Sequence, residues 1–179
     1  MTKAEVTKLL KEYKQGVRID LGCGANKQEG FLGIDIRKAK GVDIVHDLEK
    51  FPWPLPNGCA SLIMCSHLIE HIDPAKGGFL KFMDECWRIL GKAGKLMIST
   101  PYAGSTGYFQ DPTHVNPCNE VTWAYFDPLE VQGGLWRIYS PKPWKIVLST
   151  YSEIGNMEVS LEKRLVDRSY DGGTNGKNS

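Results

Sequence analysis

The sequence lacks several features that would indicate particular classes of protein. Its 179 residues carry a formal net charge of only +1, which gives no general attraction toward nucleic acid or anionic membranes. No apolar run is long enough to span a bilayer, and residues 2–13 have a charged helical pattern instead of a signal peptide. The five cysteines include no CxxC pair, so we expect buried, reduced thiols. We predict a cytoplasmic protein without a membrane partner.

Short apolar segments recur through the first hundred residues, as is typical of parallel strands buried on both faces. They predict five strands, at Val17–Leu21, Phe31–Ile36, Val42–Val45, Leu62–Cys65 and Lys95–Thr100. Apolar residues at helical intervals predict a first helix over Ala4–Gln15 and a crossover helix over Gly78–Leu90, which Gly91 and Gly94 end. The predicted fold class is therefore α/β.

Two connections depart from a regular alternation of strands and helices. Only about nine residues separate the first strand from the second, too few for a full crossover helix, so a short helix or a loop must connect them. The alternating prolines of residues 51–58 exclude a regular helix, because each ring removes a donor and disfavours helical geometry before it. We expect an extended loop there, packed through Phe51 and Trp53.

The last part of the chain differs in character. Residues 101–143 are rich in proline, glycine and aromatic residues, and an insertion of this length is typically a lid or a binding segment. Trp144–Tyr151 and Met157–Val166 predict a hairpin around Gly155-Asn156. We expect a single domain over residues 1–170, with a mostly parallel sheet and a C-terminal antiparallel hairpin. Residues 171–179 are polar and predict a disordered tail.

The strongest functional signal is a glycine turn flanked by acidic residues. Gly22 and Gly24 allow a ligand to approach the backbone closely, directly after the first strand. A dinucleotide site would need a third glycine where Lys27 stands, and Asp20 would repel a diphosphate. Asp20 instead suits an ammonium group, and Asp35 at the end of the second strand suits ribose hydroxyls.

Asp47, directly after the third strand, completes the set and suits an adenine amino group. Taken singly, each acid is better explained as a solvated strand end, and the glycines can be an ordinary strand-to-helix turn. Taken together, they favour a ligand with an amino acid end, a ribose and an adenine. That ligand is S-adenosylmethionine.

An ordered set of motifs resembles those of class I S-adenosylmethionine-dependent methyltransferases, in particular the small, methyltransferase type-11-like ones. The matching segments are DLGCG at residues 20–24, GIDI at 33–36, HDL at 46–48, SHLIEH at 66–71 and RILGKAG at 88–94. The resemblance covers residues 17–101 and implies a Rossmann-like sheet. It also implies methyl transfer from S-adenosylmethionine to oxygen or nitrogen of an acceptor, which we expect to be a small molecule.

The same resemblance implies roles for individual residues. The glycine turn would contact the methionine part, Asp35 the ribose and Asp47 the adenine, while Ser66 and His67 would line the sulfonium. Asn26 replaces the third glycine of the family, and asparagine also tolerates positive φ. The expected cofactor-binding residues are Asp20, Gly22, Cys23, Gly24, Asn26, Asp35, Ile36, Asp47, Leu48, Ser66 and His67.

Two histidines are candidate catalytic residues. His114 lies in the insertion, where such folds place the acceptor, and an imidazole there could take a proton from the acceptor. Alternatively, His114 only holds the loop in shape through Asp111 or the backbone. His67, after the fourth strand, is the second candidate.

A rival hypothesis from another enzyme class rests on the spacing of His67, Glu70 and His71, which matches the HxxEH motif of zinc peptidases. That motif needs a helix long enough to present both imidazoles, and Asp73-Pro74 interrupts the helix soon after His71. It also leaves the glycine turn unexplained. We therefore expect no metal site.

Aromatic residues are concentrated in the insertion and either wall an acceptor pocket or bury the long loop. They are Tyr102, Tyr108, Phe109, Trp123, Tyr125, Phe126 and Trp136. Without a basic stripe, they do not predict a nucleic-acid partner. The alternative to an enzyme is a non-catalytic module that binds S-adenosylmethionine.

Overall fold

The structure is a computed structural model that describes residues 3–11, 16–130, 134–152 and 155–165. Its α-helices and strands are α1 (Lys3–Leu10), β1 (Val17–Leu21), β2 (Leu32–Asp35), β3 (Ile44–Val45), β4 (Ala60–Ser66), α2 (Gly78–Ile89), β5 (Leu90–Pro101), α3 (Thr106–Phe109), α4 (Trp136–Tyr139), β6 (Trp144–Tyr151) and β7 (Asn156–Lys163). Three short 3₁₀ helices lie at Ile69–His71, Ala75–Gly77 and Thr122–Tyr125.

Seven strands form one sheet in the order β3-β2-β1-β4-β5-β7-β6. Strands β1 to β5 pair parallel with one another, and β7 pairs antiparallel with both β5 and β6. All four residues of β2 are buried, as are four of the five in β1, which is the pattern of strands covered on both faces. The predicted mostly parallel sheet with a C-terminal antiparallel hairpin is confirmed.

The core lies between this sheet and the segments that cover it. Helix α2 buries Phe82, Met83, Cys86 and Ile89, the residues that its helical spacing placed on one face. All five cysteines are free, and four of them are buried, which confirms the expectation of reduced thiols. None of the described helices has the length and apolar character that crossing a bilayer requires.

Several predicted bounds are corrected by the structure. Strand β5 begins at Leu90, not Lys95, because Leu90 pairs with Ala60 before an irregularity that absorbs residues 91–94. Strand β3 keeps only two residues, and β4 extends to Ser66. Helix α1 ends at Leu10; residues 12–15, Val166 and the predicted tail over 171–179 lie outside the described residues.

The connections behave as the composition predicts. Residues 22–31, between β1 and β2, form turns without a helix. In the proline-rich loop Trp53 is buried, its indole N–H donates to the Leu48 carbonyl at 3.0 Å, and its ring lies edge-on to Phe82 with centroids 5.4 Å apart. Phe51 is half-buried beside it. The loop is therefore anchored by aromatic packing.

An ion pair on α2 ties this loop to the helix. Glu85 is buried and accepts two hydrogen bonds from Arg88, at 2.8 Å and 2.6 Å, and one from the Trp53 backbone N–H at 2.6 Å. Arg88 in turn donates to the Leu55 carbonyl at 2.8 Å and to Asn57 Oδ1 at 2.6 Å. The guanidinium N–H groups of Arg88 are thus hydrogen-bonded either to the Glu85 carboxylate or to acceptors in the proline-rich loop.

We expect Glu85→Ala to lower the free energy of unfolding by about 2–4 kcal/mol, because it leaves the Arg88 guanidinium and a buried backbone N–H without their acceptor. Urea unfolding followed by tryptophan fluorescence measures this. The matched control is Lys81→Ala, an exposed position on the same helix, which should change stability by less than about 0.5 kcal/mol. Equal losses in the two variants would contradict the anchoring role of Glu85.

Candidate functional site

A cleft opens where the parallel strands end. Strand β1 pairs with β2 on one side and with β4 on the other. The strands that follow β1 are therefore added first on one side of it and then on the opposite side. Open α/β sheets bind ligands at such a switch point. The cleft has a volume of about 160 Å³, which is smaller than the roughly 300–1,000 Å³ usual for small-molecule sites. We call it the strand-end cleft, and its lining residues are Gly22, Asp35, Ile36, Asp47, Leu48, Glu49, Leu68, His71 and Ile72.

The glycine turn after β1 closes one side of this cleft. Gly22 has φ +68°, its N–H donates to the Ile34 carbonyl at 2.8 Å, and a Cβ there would meet the Leu68 side chain at 3.0 Å. Gly24 has φ +53° with open space where a Cβ would stand. Both positions therefore need glycine for their backbone conformation. Asn26 does not use the positive φ that asparagine tolerates.

Two carboxylates at consecutive strand ends face the same cleft. Asp35 is only 6% exposed, and it accepts hydrogen bonds from the backbone N–H groups of Gly24 and Arg37, each at 2.9 Å. Asp47 accepts from the Glu49 N–H at 3.1 Å and lies 3.4 Å from the Lys50 ammonium. Local backbone donors hold both side chains in place, so the acids are oriented before any ligand arrives.

Asp20 lies in β1 next to the glycine turn but outside the lining of the cleft. It is 6% exposed and accepts one backbone hydrogen bond, from Gln28 at 2.9 Å. Burial raises the pKa of this carboxyl, and the Gln28 hydrogen bond and the Lys27 charge offset that rise only in part. A charge that is costly to bury beside an open cleft is a feature of ligand-binding sites.

Cys23 lies in the turn itself and is nearly buried. Burial, together with the negative charges of Asp20 and Asp35, raises the pKa of its thiol to about 11. The side chain is therefore a neutral thiol at physiological pH, and it is not an activated nucleophile.

Ser66 ends β4 and His67 follows it, but neither lines the strand-end cleft. His67 has φ +49°, its N–H donates to the Ser99 carbonyl at 2.8 Å, and its ring contacts Asn156 at 3.1 Å. The residues of this motif that do reach the cleft are Leu68 and His71, which sequence reasoning did not assign to the cofactor. The signal was present, since both belong to the SHLIEH motif.

The HxxEH helix of a zinc peptidase is not formed. The only helical residues of the motif are Ile69–His71, a single 3₁₀ turn, and His67 precedes it in a left-handed conformation. The two imidazoles therefore do not share one face of a helix. The ring that packs against His71 is that of His114, with centroids 4.8 Å apart.

Of the eleven predicted cofactor-binding residues, the structure brings five together around the cleft: Gly22, Asp35, Ile36, Asp47 and Leu48. The other six, which are Asp20, Cys23, Gly24, Asn26, Ser66 and His67, do not line it. Glu49, Leu68, His71 and Ile72 line it without having been predicted. The binding roles of all these residues stay predictions.

The aromatic residues of the insertion differ in how far their side chains are buried. Trp123 and Phe126 are fully buried and pack edge-on against Phe79 of α2, with ring centroids 6.5 Å and 5.7 Å away. Phe109 is 74% exposed. None of the seven lines the strand-end cleft, so burial of the long segment accounts for Trp123 and Phe126.

Comparison with solved structures identifies the fold. The chain is similar to a SAM-dependent methyltransferase from Archaeoglobus fulgidus, with a TM-score of 0.58, 18% identity and coverage of 90% of this chain and 92% of the other. It is also similar to a 16S rRNA (adenine(1408)-N(1))-methyltransferase from Catenulisporales acidiphilia, with a TM-score of 0.55, 15% identity and 91% coverage of both chains.

A third similar structure is the [4+2]-cyclase SpnF, with a TM-score of 0.53, 12% identity and coverage of 90% of this chain and 81% of that one. No protein-family model matches the sequence, and no curated protein matches it either. At these identities the likeness establishes architecture alone. The chain has the fold of class I S-adenosylmethionine-dependent methyltransferases, which confirms the predicted resemblance at the level of the fold.

The buried charge of Asp20 generates a prediction about stability. Because the folded-state pKa is raised, the ionised carboxylate costs stability; the cost is complete above the folded-state pKa and absent below the unfolded value. We expect Asp20→Asn to be more stable than the parent protein at pH 7 and to lose this gain as the pH falls through the folded-state pKa.

Urea unfolding across the acidic range measures the effect. The control is Asp73→Asn, the same change at an exposed position, which should show no such gain. A destabilised Asp20→Asn variant at pH 7 would mean that the carboxylate is there for the fold and not for a ligand.

Proposed function

We propose that the protein is a methyltransferase that binds S-adenosylmethionine in the strand-end cleft. One observation carries the proposal: a glycine turn and two pre-oriented carboxylates, Asp35 and Asp47, surround one cleft at the ends of successive parallel strands. Acids at these points do not suit a diphosphate. They do suit the hydroxyl and amino groups of an adenosine.

The residues that line the cleft suit the adenosine part of this ligand, and Asp20 lies next to the glycine turn. Asp35 would accept hydrogen bonds from the ribose hydroxyls, and Asp47 would accept one from the adenine amino group. Ile36, which is 61% exposed at the cleft, and Leu48 would pack against the adenine ring. The ammonium group would lie toward Asp20 and the turn at Gly22, where a positive charge relieves a buried negative one.

S-adenosylmethionine supplies a methyl group on a sulfonium, which is already strongly electrophilic. The protein's task is therefore mainly to hold the two reactants in line and to exclude water. The turn at Gly22 and Leu68 bound the cleft on the side of β4, and the insertion lies beyond His71. His67 and His114 stay candidates for a group that takes the acceptor proton.

The acceptor in this proposal is a small molecule methylated at oxygen or nitrogen. Support comes from the balanced net charge of +1, which offers no electrostatic footprint for a nucleic acid. One structurally similar protein modifies ribosomal RNA, so the choice of acceptor is open to experiment.

A second candidate is a protein that binds S-adenosylmethionine without transferring its methyl group. The likeness to a [4+2]-cyclase supports this candidate, because that protein has a similar fold and is named for a reaction other than methyl transfer. The two candidates share the cleft and differ in turnover.

Ile36 provides the cleanest test of the cleft, because its side chain is exposed and carries little of the fold. We expect Ile36→Ala to weaken S-adenosylmethionine binding by about 5- to 30-fold, the loss of about 1–2 kcal/mol of apolar contact with the adenine. Isothermal titration calorimetry measures the affinity. Ile138→Ala is the matched control, since Ile138 is 60% exposed and lies away from the cleft. Equal affinities in the two variants would contradict the placement of the adenine in this cleft.

Turnover decides between the two candidate functions. We expect formation of S-adenosylhomocysteine that depends on an added acceptor, when hydroxyl and amine compounds are screened with the purified protein. Asp35→Ala should lower cofactor affinity at least about 10-fold, the value of a hydrogen bond to a charged group. Asp84→Ala on α2 serves as its control. Cofactor binding without any acceptor-dependent product would favour the non-catalytic candidate.

A further inference from the structure

Three side chains with metal-binding donors converge at the edge of the strand-end cleft. One donor atom each from Glu70, His71 and His114 lies within 4.8 Å of the other two. We propose that these side chains bind a divalent ion of the first transition row, such as Zn²⁺ or Co²⁺. This departs from the sequence-based expectation of no metal, and it pairs His71 with His114 in place of His67.

The backbone holds the two contributing segments together. The carbonyl of Glu70 accepts hydrogen bonds from the N–H groups of Val115 and Asn116, at 2.8 Å and 3.1 Å. The Asn116 side-chain amide is buried and donates to the carbonyls of Ile69, at 2.8 Å, and Ile72. These four bonds fasten the insertion to the 3₁₀ turn, so the site is assembled before an ion arrives.

Both imidazoles are held in the form that binds a metal. The Nδ1 of His114 lies 2.8 Å from the Tyr108 carbonyl, which can only accept, so Nδ1 carries the proton and Nε2 a free lone pair. The Thr113 hydroxyl donates a hydrogen bond to Asp111 Oδ1 at 2.7 Å, so its oxygen accepts one from His71 Nδ1 at 3.0 Å. Hydrogen bonds of this kind orient histidine ligands in metal sites.

Glu70 supplies the second, independent indication of a cation. It is completely buried; Oε2 accepts from Thr100 at 3.1 Å, whereas Oε1 has no hydrogen-bond donor. His67 Nδ1 lies 3.3 Å from Oε1, outside hydrogen-bonding geometry. A buried carboxylate oxygen without a hydrogen-bond donor is costly, and a bound cation would compensate it.

The donor set selects the kind of ion. Two imidazoles and one carboxylate suit Zn²⁺ or Co²⁺ better than Mg²⁺ or Ca²⁺, which prefer oxygen ligands, and three protein ligands leave a position open. Bonds of about 2.0–2.2 Å place two ligands of one ion at most about 4.4 Å apart. Small side-chain rotations therefore close the observed spacing of up to 4.8 Å.

The location suggests what the ion does. His71 also lines the strand-end cleft, so an ion bound there would lie between the cleft and the insertion. Its open position would take a hydroxyl oxygen, lower the pKa of that hydroxyl and release the proton to solvent. This last step rests on the proposed function, and it narrows the acceptor to a compound with a hydroxyl group.

The test is calorimetric titration of the full chain with Zn²⁺ and Co²⁺ after removal of metal with a chelator. We expect one ion per chain, and a Co²⁺ absorption spectrum typical of nitrogen and oxygen ligands. His71→Ala and His114→Ala should each weaken binding at least about 10-fold. Thr113→Val, which removes the orienting hydrogen bond at an exposed residue, should also weaken it.

His46→Ala is the matched control, because His46 contacts the Lys50 carbonyl and is not part of the three-residue cluster. Its affinity should equal that of the parent protein. Absence of a single stoichiometric site would overturn the proposal, as would a preference for Mg²⁺, or unchanged affinity in both His114→Ala and Thr113→Val. Thermal melts confirm that each variant is folded.

Titration of the metal-free protein with S-adenosylmethionine separates this proposal from the proposed function. Metal binding without cofactor binding would support the ion site and contradict the methyltransferase assignment. Cofactor binding by a protein that takes up no Zn²⁺ or Co²⁺ would support the proposed function and contradict the ion site. The two proposals therefore fail independently.

Discussion

The parallel pairing of β1 with both β2 and β4 is the constraint on which the rest of the structure depends. Parallel strands end at the same edge of a sheet, so this pairing brings the residues that follow four strands into one place. The glycine turn, Asp35, Asp47 and Leu68 are distant in sequence and become neighbours for this reason alone. The antiparallel hairpin of β6 and β7 extends the sheet beyond β5, and its Asn156 contacts His67 at this same edge.

Electrostatics at this edge is arranged around negative charge. Asp35 and Asp47 are held by backbone donors, whereas Asp20 has one donor and a raised pKa. A phosphate in the cleft would meet two carboxylates, with a third, Asp20, next to the glycine turn, and a cationic group would be attracted by all three. The charge at this edge therefore favours a cationic ligand over a phosphate, whereas likeness to solved structures below 20% identity establishes the fold alone.

The insertion is more than a cover for the sheet. Trp123 and Phe126 bury it against α2, and Asn116 fastens it to the turn that follows β4. This second attachment sets His114 against His71 at the rim of the cleft. Two attachments, one apolar and one made of hydrogen bonds, therefore decide which side chains of the insertion can reach the cleft. Burial of the aromatic side chains stabilises the insertion on the sheet, and the hydrogen bonds of Asn116 fix where the segment around His114 lies.

Much of this architecture was predictable from local pattern. The strand cores, the helix at α2, the loop-like connection after β1 and the terminal hairpin follow from apolar spacing, glycines and prolines, which act over a few residues. Local pattern was less able to place strand ends, as at β5, whose start depends on the pairing of Leu90 with Ala60 across the sheet.

The sequence by itself determined the order of the motifs along the chain, and it placed Asp35 at the end of β2 and Asp47 shortly after β3, because these features depend on neighbours along the chain. Only the tertiary structure decided that Leu68 and His71, not Ser66 and His67, turn toward the cleft. The left-handed backbone at His67 sets that direction. Likewise, the partner of His71 is His114, a residue 43 positions away, because hydrogen bonds to the Glu70 carbonyl bring the insertion back to the sheet edge. Side-chain direction and long-range contact are properties of the folded chain, and no local pattern contains them.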